Sequence, residues 1–225
     1  MPFSNAVLKK MAFYLLIFAG IIFVVLAVLV RYHNIWGLDI FLSHDLQAEG
    51  DTPERRTIIY QLLYCVSLFG KPLIAAAMVI FFAVIFWLYK YYREAVYVLF
   101  TPLAALVNSI VKIIVDRPRP TANFVQILAT ETDTSFPSGH VNFYTVFFGF
   151  LFACLFFVPR IPKFVRYFIQ IISIFLIVAI SFSRVYLGVH WVSDTIGGYL
   201  LGLLILVVLL FFYLRYLPDS HDRVD

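Results

Sequence analysis

Three short segments of this 225-residue chain carry side chains suited to phosphate chemistry. They are residues 112–120, which hold a lysine and two arginines, residues 137–140, which read Pro-Ser-Gly-His, and residues 183–194, which hold an arginine, a histidine and an aspartate. Each segment borders a long apolar run. Charged groups next to hydrocarbon are unfavourable, and function is the usual reason for keeping them. The segments therefore predict one phosphate-handling site.

The third segment holds a histidine and a carboxylate at helical spacing. His190 and Asp194 are four residues apart, so they lie one above the other on a helix. A carboxylate bonded to one imidazole nitrogen fixes the tautomer and leaves the other nitrogen as a nucleophile or base. A local surface pair has the same spacing. A metal site built from His140, His190 and Asp194 is the other alternative, which the neighbouring cations disfavour by repelling a divalent ion.

The remaining polar residues are suited to binding an anion. Ser138 is a candidate N-cap, and the helix that starts there offers free amides and a positive dipole end to an anion. Lys112 and Arg119 are about two helical turns apart, and they are expected to share a face if the helix persists. The role of Arg117 stays open. We predict phosphate ligands at Lys112, Arg119, Ser138, Gly139 and Arg184, with the cations unpaired before phosphate binds.

The composition predicts a polytopic membrane protein. The chain is 63% hydrophobic and 13% charged, whereas soluble domains are about half apolar and a quarter charged. Its net charge of +4 comes from scattered Lys and Arg, which favours no nucleic-acid partner. Six runs are long enough to cross a bilayer as helices. We expect a single membrane domain, residues 1–225, with an all-α bundle of spans at about 11–30, 72–89, 95–115, 138–158, 165–183 and 193–214.

The order of the spans places the three segments together. The first segment ends span three and the second begins span four, while the third joins span five to span six. Consecutive spans meet on the same side, so all three segments share one membrane face. Basic residues crowd the connections at 90–93 and 160–166, and the positive-inside rule then predicts a cytoplasmic N-terminus in the cell membrane. The site is expected to face outward.

Two further stretches lie on the predicted outer side. Residues 57–70 are apolar but too short to span, which predicts an interfacial or re-entrant helix ending at Gly70. Residues 31–56 are rich in acidic side chains and could form a short amphipathic piece around 35–46 that covers the substrate. A solvated loop is the alternative that we favour for 31–56.

The spacing of these motifs resembles the type-2 phosphatidic acid phosphatase superfamily. The family pattern Lys-x6-Arg-Pro, Pro-Ser-Gly-His and Ser-Arg-x5-His-x3-Asp is matched without a gap. The resemblance implies a metal-independent reaction without a cofactor. In that reaction His190 attacks phosphorus to form a phosphohistidine, Asp194 orients it, and His140 protonates the leaving alkoxide. Lys112, Arg119, Arg184, Ser138 and the Gly139 amide are implied to hold the phosphoryl oxygens.

The resemblance leads us to expect an integral membrane enzyme that hydrolyses lipid phosphates. Candidate substrates are phosphatidylglycerophosphate, phosphatidic acid and undecaprenyl diphosphate, with membrane lipids as the surroundings and an undetermined oligomeric state. Two alternatives stay open. One is a phosphotransferase on the same scaffold. The other is an anion or lipid transporter, which the lack of an internal repeat disfavours.

Overall fold

The protein is an all-helical bundle, as the computed structural model shows. The structure describes residues 5–33, 35–48 and 53–215, except for the side chains of 5–12, 15 and 53–56. The described residues form helices and no strand, which confirms the predicted fold class. The helices are α1 (Asn5–Tyr32), α2 (Gly37–Ala48), α3 (Pro53–Leu68), α4 (Pro72–Leu88), α5 (Tyr92–Phe100), α6 (Leu103–Val115), α7 (Gly139–Cys154), α8 (Lys163–Tyr186) and α9 (Val192–Arg215), and a 3₁₀ turn, Leu155–Phe157, extends α7.

Four stretches are each long and apolar enough to cross a membrane: α5 with α6, α7 with its 3₁₀ turn, α8, and α9. Two bent pairs raise the number to six if each pair is one span. One pair joins α1 to α2 at 94°, and the other joins α3 to α4 at 60°. The break at Pro102 between α5 and α6 leaves a single crossing, because both pieces continue along nearly the same path.

Helix α7 forms the centre of the bundle. Most of its side chains are buried, including Tyr144, Phe147 and Leu151. A helix that is apolar all round must be surrounded by other elements, and here α8 and α9 pack on it most extensively. The site residues that begin α7 are therefore held by the best-packed element of the protein.

Glycines on α9 let it approach α7 closely. A Cβ atom at Gly198 would lie 2.8 Å from the Ser138 carbonyl oxygen, and one at Gly202 would lie 2.7 Å from Cβ of Thr145. Such separations are too short for carbon atoms in van der Waals contact. The missing side chains thus bring the start of α7 next to the start of α9, where the two motif histidines lie.

Helix α2 is inside out compared with a helix of a soluble protein. Its polar Asp39, Ser43 and Gln47 are buried at intervals of four residues, whereas Leu38 and Phe41 are more than 60% exposed. The favoured interpretation of 31–56 as a solvated loop is wrong for 37–48, because this helix packs its polar side on α8 and α9. Residues 34 and 49–52 of that segment lie outside the described residues, while 31–32 belong to α1 and 53–56 to α3.

Candidate active site

The three motif segments meet at one end of the bundle. Lys112 lies in the last turn of α6, Arg184 in the last turn of α8, and Asp194 in the first turn of α9. The three segments lie around a cavity of about 420 Å³. Six of the predicted site residues line this cavity: Lys112, Arg119, Gly139, His140, Arg184 and His190. Ser138 and Asp194 do not line it and stand behind its wall.

Local backbone geometry places Arg117 and Arg119. Helix α6 ends because Asp116 adopts a left-handed conformation, with φ 49°, and its N–H bonds to the Lys112 carbonyl. Asp and Asn enter this region more readily than other non-glycine residues. The two prolines that follow prevent the helix from resuming. The chain therefore leaves the helix axis, and the two arginines extend toward the start of α9.

His190 is held with its two ring nitrogens in different surroundings. Nδ1 lies 3.5 Å from Oδ2 of Asp194 and 3.4 Å from Oγ of Ser135. On the other side of the ring, Nη1 of Arg119 lies 3.2 Å from Nε2 and can donate to it. This arrangement suits a ring protonated on Nδ1, with the Nε2 lone pair directed toward the cations and the cavity.

The surroundings of His190 favour its neutral form. Burial is the main cause that lowers the pKa of His190 well below 6.5, and Arg119, Arg184 and Lys112 lower it further. Each of these effects disfavours a second proton on the ring. An unprotonated nitrogen is what nucleophilic attack requires.

His140 lies across the cavity with an unused polar atom. Its Nε2 is buried and has no hydrogen-bond partner among the described residues. The ring packs against Gly70, where a Cβ atom would lie only 2.1 Å from Cδ2 of His140. A buried polar atom without a partner is unusual and suggests that a ligand supplies one. Gly70, at the bend between α3 and α4, therefore makes the space that this ring occupies.

Ser138 occupies the N-cap position of α7 but does not cap it through its side chain. No hydrogen bond joins its side chain to the helix amides, and its buried Oγ has no partner in the described part of the chain. Its amide donates to the Asp194 carbonyl over 3.0 Å, which ties the start of α7 to α9. Gly139, one residue later, does line the cavity.

The three cations are paired, so the prediction that they are unpaired is wrong. Two acidic residues of the connection between α6 and α7 supply the partners. Lys112 lies 3.2 Å from Asp133, which also pairs with Arg119, and Arg184 lies 2.6 Å from Glu131. These carboxylates border the cavity and place anionic oxygens beside the three cations.

Asp133 is the more exposed of these two acids. Burial alone would raise its pKa, but Lys112 and Arg119 outweigh burial and lower the pKa of Asp133 below its usual value. Its side chain is 56% exposed, compared with 35% for Glu131. Both carboxylates can therefore turn toward water if another anion takes their place.

Sequence reasoning left Arg117 without a role, and it missed Asp39, Ser135 and Ser193. Arg117 is fully buried, and it lies 2.5 Å from Oδ1 of Asp194 and 2.8 Å from Oδ2 of Asp39. Ser135 donates to Oδ2 of Asp194 over 2.5 Å. The one available signal was the doubled Arg-Pro sequence, which shows an extra arginine and nothing about its partner.

No group of three His, Cys, Asp or Glu side chains is placed to hold a metal ion in residues 5–33, 35–48 and 53–215, within the side chains described. The alternative ligand set of His140, His190 and Asp194 is not assembled as one site. His190 and Asp194 face each other, and Asp194 stands outside the cavity that the two histidines line.

Fold and site together define a class: an all-helical membrane protein with a cluster of cations and histidines around a cavity at the ends of its helices. The same fold occurs in the crystal structure of a transmembrane PAP2-type phosphatidylglycerolphosphate phosphatase from Bacillus subtilis, with a TM-score of 0.78. The match covers 91% of this chain and 98% of that one at 21% sequence identity.

The chain belongs to the PAP2 superfamily, whose family model matches residues 93–217. Among curated relatives, phosphatidylglycerophosphatase B of Bacillus subtilis is 38% identical over 122 residues, which are 52% of this chain and 54% of that protein. An undecaprenyl-diphosphatase of Sulfolobus acidocaldarius is 33% identical over 104 residues, 44% of this chain and 45% of the relative. The matches thus span about half the length of these curated relatives.

Proposed function

We propose that this protein is an integral membrane lipid phosphatase that hydrolyses the phosphate monoester or diphosphate of a lipid. The observation that carries the proposal is the composition of the cavity. One part is lined by the cations, both histidines and the two acids that pair with the cations, and most of the rest by small or apolar residues of α4, of the break between α5 and α6, of α6 and of α7. These are Pro72, Ala75, Ala76, Pro102, Ala105 and Phe143. A molecule with a phosphate at one end and hydrocarbon at the other fits both parts.

The proposed reaction proceeds in two displacements. In the first, Nε2 of His190 forms a bond to phosphorus, the bond to the leaving oxygen breaks, and His140 gives its proton to that oxygen. In the second, His140 takes a proton from water, whose oxygen attacks phosphorus and breaks the P–N bond. Inorganic phosphate leaves and His190 is restored. Splitting the transfer in this way replaces one difficult step by two easier ones.

Positioning and charge supply most of the catalysis in this scheme. Phosphoryl transfer spreads negative charge over the oxygens on phosphorus, and fixed cations stabilise that charge. Lys112, Arg119 and Arg184 take this role, with the Gly139 amide at the start of α7. Asp133 and Glu131 must turn away as the phosphate enters. Ser138, behind the cavity wall, supports the helix start.

We further propose the setting of the reaction. The chain acts as one membrane-embedded phosphatase unit in the cell membrane, with the N-terminus cytoplasmic and the site outward. The support is the basic character of residues 90–93 and 160–166, at the end of the bundle opposite the site. Phosphatidylglycerophosphate and undecaprenyl diphosphate, which name the activities of the two relatives, are the first substrates to test, with phosphatidic acid beside them.

The test is a lipid-phosphate panel with purified protein in detergent. We expect phosphate release from a lipid substrate, inhibition by vanadate, and a loss of at least about 10⁴-fold in His190→Ala, as for other nucleophile deletions. His33→Ala is the matched control, because His33 is exposed at the end of α1 and distant in sequence from the motifs. Hydrolysis by His190→Ala at the wild-type rate would contradict the assignment. Transfer to an added alcohol in place of water would indicate a phosphotransferase.

A further inference from the structure

A buried chain of charges stands behind the His190–Asp194 pair. Arg117 has no exposed surface, and its guanidinium connects two carboxylates that come from different helices, Asp39 of α2 and Asp194 of α9. Ser193 joins the same group, since its hydroxyl accepts from Arg117 over 2.7 Å and donates to Asp39 over 2.6 Å. The side chains of Asp39, Arg117 and Asp194 are at most 3% exposed.

The two carboxylate oxygens of Asp194 contact different partners. Oδ1 accepts from Arg117, whereas Oδ2 faces Ser135, the Trp191 amide and Nδ1 of His190. A carboxylate with both oxygens bonded cannot rotate without breaking a charge-assisted hydrogen bond. Arg117, together with the Ser135 hydroxyl and the Trp191 amide, therefore fixes which oxygen of Asp194 faces the histidine.

Asp39 extends this control to α2. Its Oδ1 accepts from the Ser193 amide over 2.9 Å, and its Oδ2 accepts from Arg117 and from the Ser193 hydroxyl. Ser193 directly precedes Asp194. Through Asp39, α2 therefore bonds both to the backbone next to Asp194 and to the arginine that pairs with Asp194. The two carboxylates and the arginine carry a formal charge of −1, and a buried charge of this kind must be hydrogen-bonded to persist.

We propose that Arg117 and Asp39 are positioning residues for the reaction, which act on His190 through Asp194. The inference rests on the proposed function, because it assigns them to the nucleophile of that phosphatase. Neither residue lines the cavity. Both are therefore separate from the residues that hold the phosphate, and they affect the rate of phosphoryl transfer, kcat, more than the affinity for substrate.

The central variant is Arg117→Lys. A lysine keeps the charge but lacks the planar fork that bonds two carboxylates at once. We expect kcat to fall about 10- to 100-fold, by analogy with the loss found when the hydrogen-bond partner of a metal-ligating histidine is changed, with KM within about twofold of wild type. Arg119→Lys, which alters a phosphate ligand, is expected to raise KM. Arg166→Lys, at the opposite end of α8, is the matched control for an unchanged kcat.

A double variant separates positioning from folding. Asp39→Asn with Arg117→Met removes one negative and one positive charge, so the buried group keeps its net charge of −1, and the Ser135 hydroxyl and the Trp191 amide still donate to Asp194. Its kcat is still expected to fall at least about 10-fold, because Oδ1 of Asp194 has lost its donor. Acid-quenched phosphoenzyme should form more slowly by the same factor. A thermal melt of each variant in detergent reports folding.

The outcomes distinguish the two proposals. A wild-type kcat in the folded double variant, or a loss in Arg117→Lys that lies entirely in KM, would overturn the positioning roles while leaving the phosphatase intact. If wild-type protein releases no phosphate from any lipid, or if His190→Ala is fully active, the proposed function itself fails. Reduced kcat with KM preserved in both variants supports the positioning roles.

Discussion

Two groups of ion pairs meet at His190, and they differ in whether they can be replaced. In the buried group, Arg117 joins Asp39 to Asp194 with side chains at most 3% exposed. In the second, which we term the exchangeable group, Lys112, Arg119 and Arg184 pair with Glu131 and Asp133, whose side chains are 35% and 56% exposed.

The difference follows from solvation. A buried carboxylate that loses its cation leaves an uncompensated charge in a low dielectric, which costs about 3–5 kcal/mol, so the buried group is permanent. In the exchangeable group the cations are largely buried, but their carboxylates are partly exposed, so these carboxylates can turn into water when another anion takes their place beside the cations. The same kinds of side chain thus form a fixed frame on one side of His190 and a set of replaceable ion pairs on the other.

The largest effect is expected from a change in the buried group. Asp194→Asn keeps the shape of the side chain but removes the charge that Arg117 and the His190 ring face. We expect kcat to fall by about 10³–10⁴-fold, as when the aspartate of a Ser-His-Asp triad becomes an amide. Steady-state hydrolysis of a lipid phosphate measures it. A loss below tenfold would show that the buried carboxylate is not needed beside the nucleophile.

The next effect concerns the cations of the exchangeable group. Lys112→Ala removes a cation that borders the cavity, and we expect kcat/KM to fall by about 10²–10³-fold, the usual loss for one preorganised group that stabilises transition-state charge. Lys163→Ala is the matched control, because Lys163 is exposed at the start of α8, away from the site. Equal activity of the two variants would remove Lys112 from the phosphate site.

The third prediction concerns pH, since burial and the three cations all lower the pKa of His190. The unfolded chain binds a proton at His190 near pH 6.5, whereas the folded protein binds it only at lower pH. Protonation therefore favours the unfolded state, and His190 lowers the free energy of unfolding as the pH falls below 6.5. We expect the imidazole ¹⁵N signals, assigned with His190→Ala, to show a neutral ring at pH 6.5. A midpoint at or above pH 6.5 would mean that the site is wetter than its packing indicates.

The smallest effect is expected from Asp133→Asn, the exposed counterpart of Asp194→Asn. Losing an anion that competes for Lys112 and Arg119 should strengthen inhibition by inorganic phosphate up to about fivefold, which corresponds to about 1 kcal/mol, with kcat nearly unchanged. Asp45→Asn, an exposed residue of α2, is the control. Weaker inhibition by phosphate in Asp133→Asn would contradict the exchange of anions.

Hydropathy and motif spacing predicted much of this architecture because each has a fixed length scale. A bilayer requires runs of about 20 apolar residues, and the observed helices overlap all six predicted spans. The order of the spans also places the three segments at one end, where the structure has them. The sequence allows an amphipathic piece around 35–46 but favours the loop, because the buried face of α2 is polar and reverses the pattern that indicates a packed helix.

The partners of the site could not be predicted from spacing. Asp39 and Arg117 are 78 residues apart, and neither helical period nor span order relates positions on different helices at that distance. Glu131 and Asp133 lie in a connection without regular structure, where sequence indicates solvent as readily as an ion pair. For Ser138 the sequence predicted the position but not the contacts. The residue lies at the start of α7 as expected, but its hydroxyl makes no capping hydrogen bond to the helix in the described structure.

Helix α2 connects the surroundings of the protein to the ion pairs behind His190. Leu38 and Phe41 face away from the protein, while Asp39, between them in sequence, pairs with Arg117 behind the His190–Asp194 pair. The exposed side of this helix lies against whatever surrounds the protein, and its other side holds the ion pair with Arg117. We therefore expect a transfer from a detergent micelle to a bilayer to shift α2 and, through Asp39 and Arg117, the Asp194 carboxylate. The rate of phosphate release would then depend on the medium around one short helix.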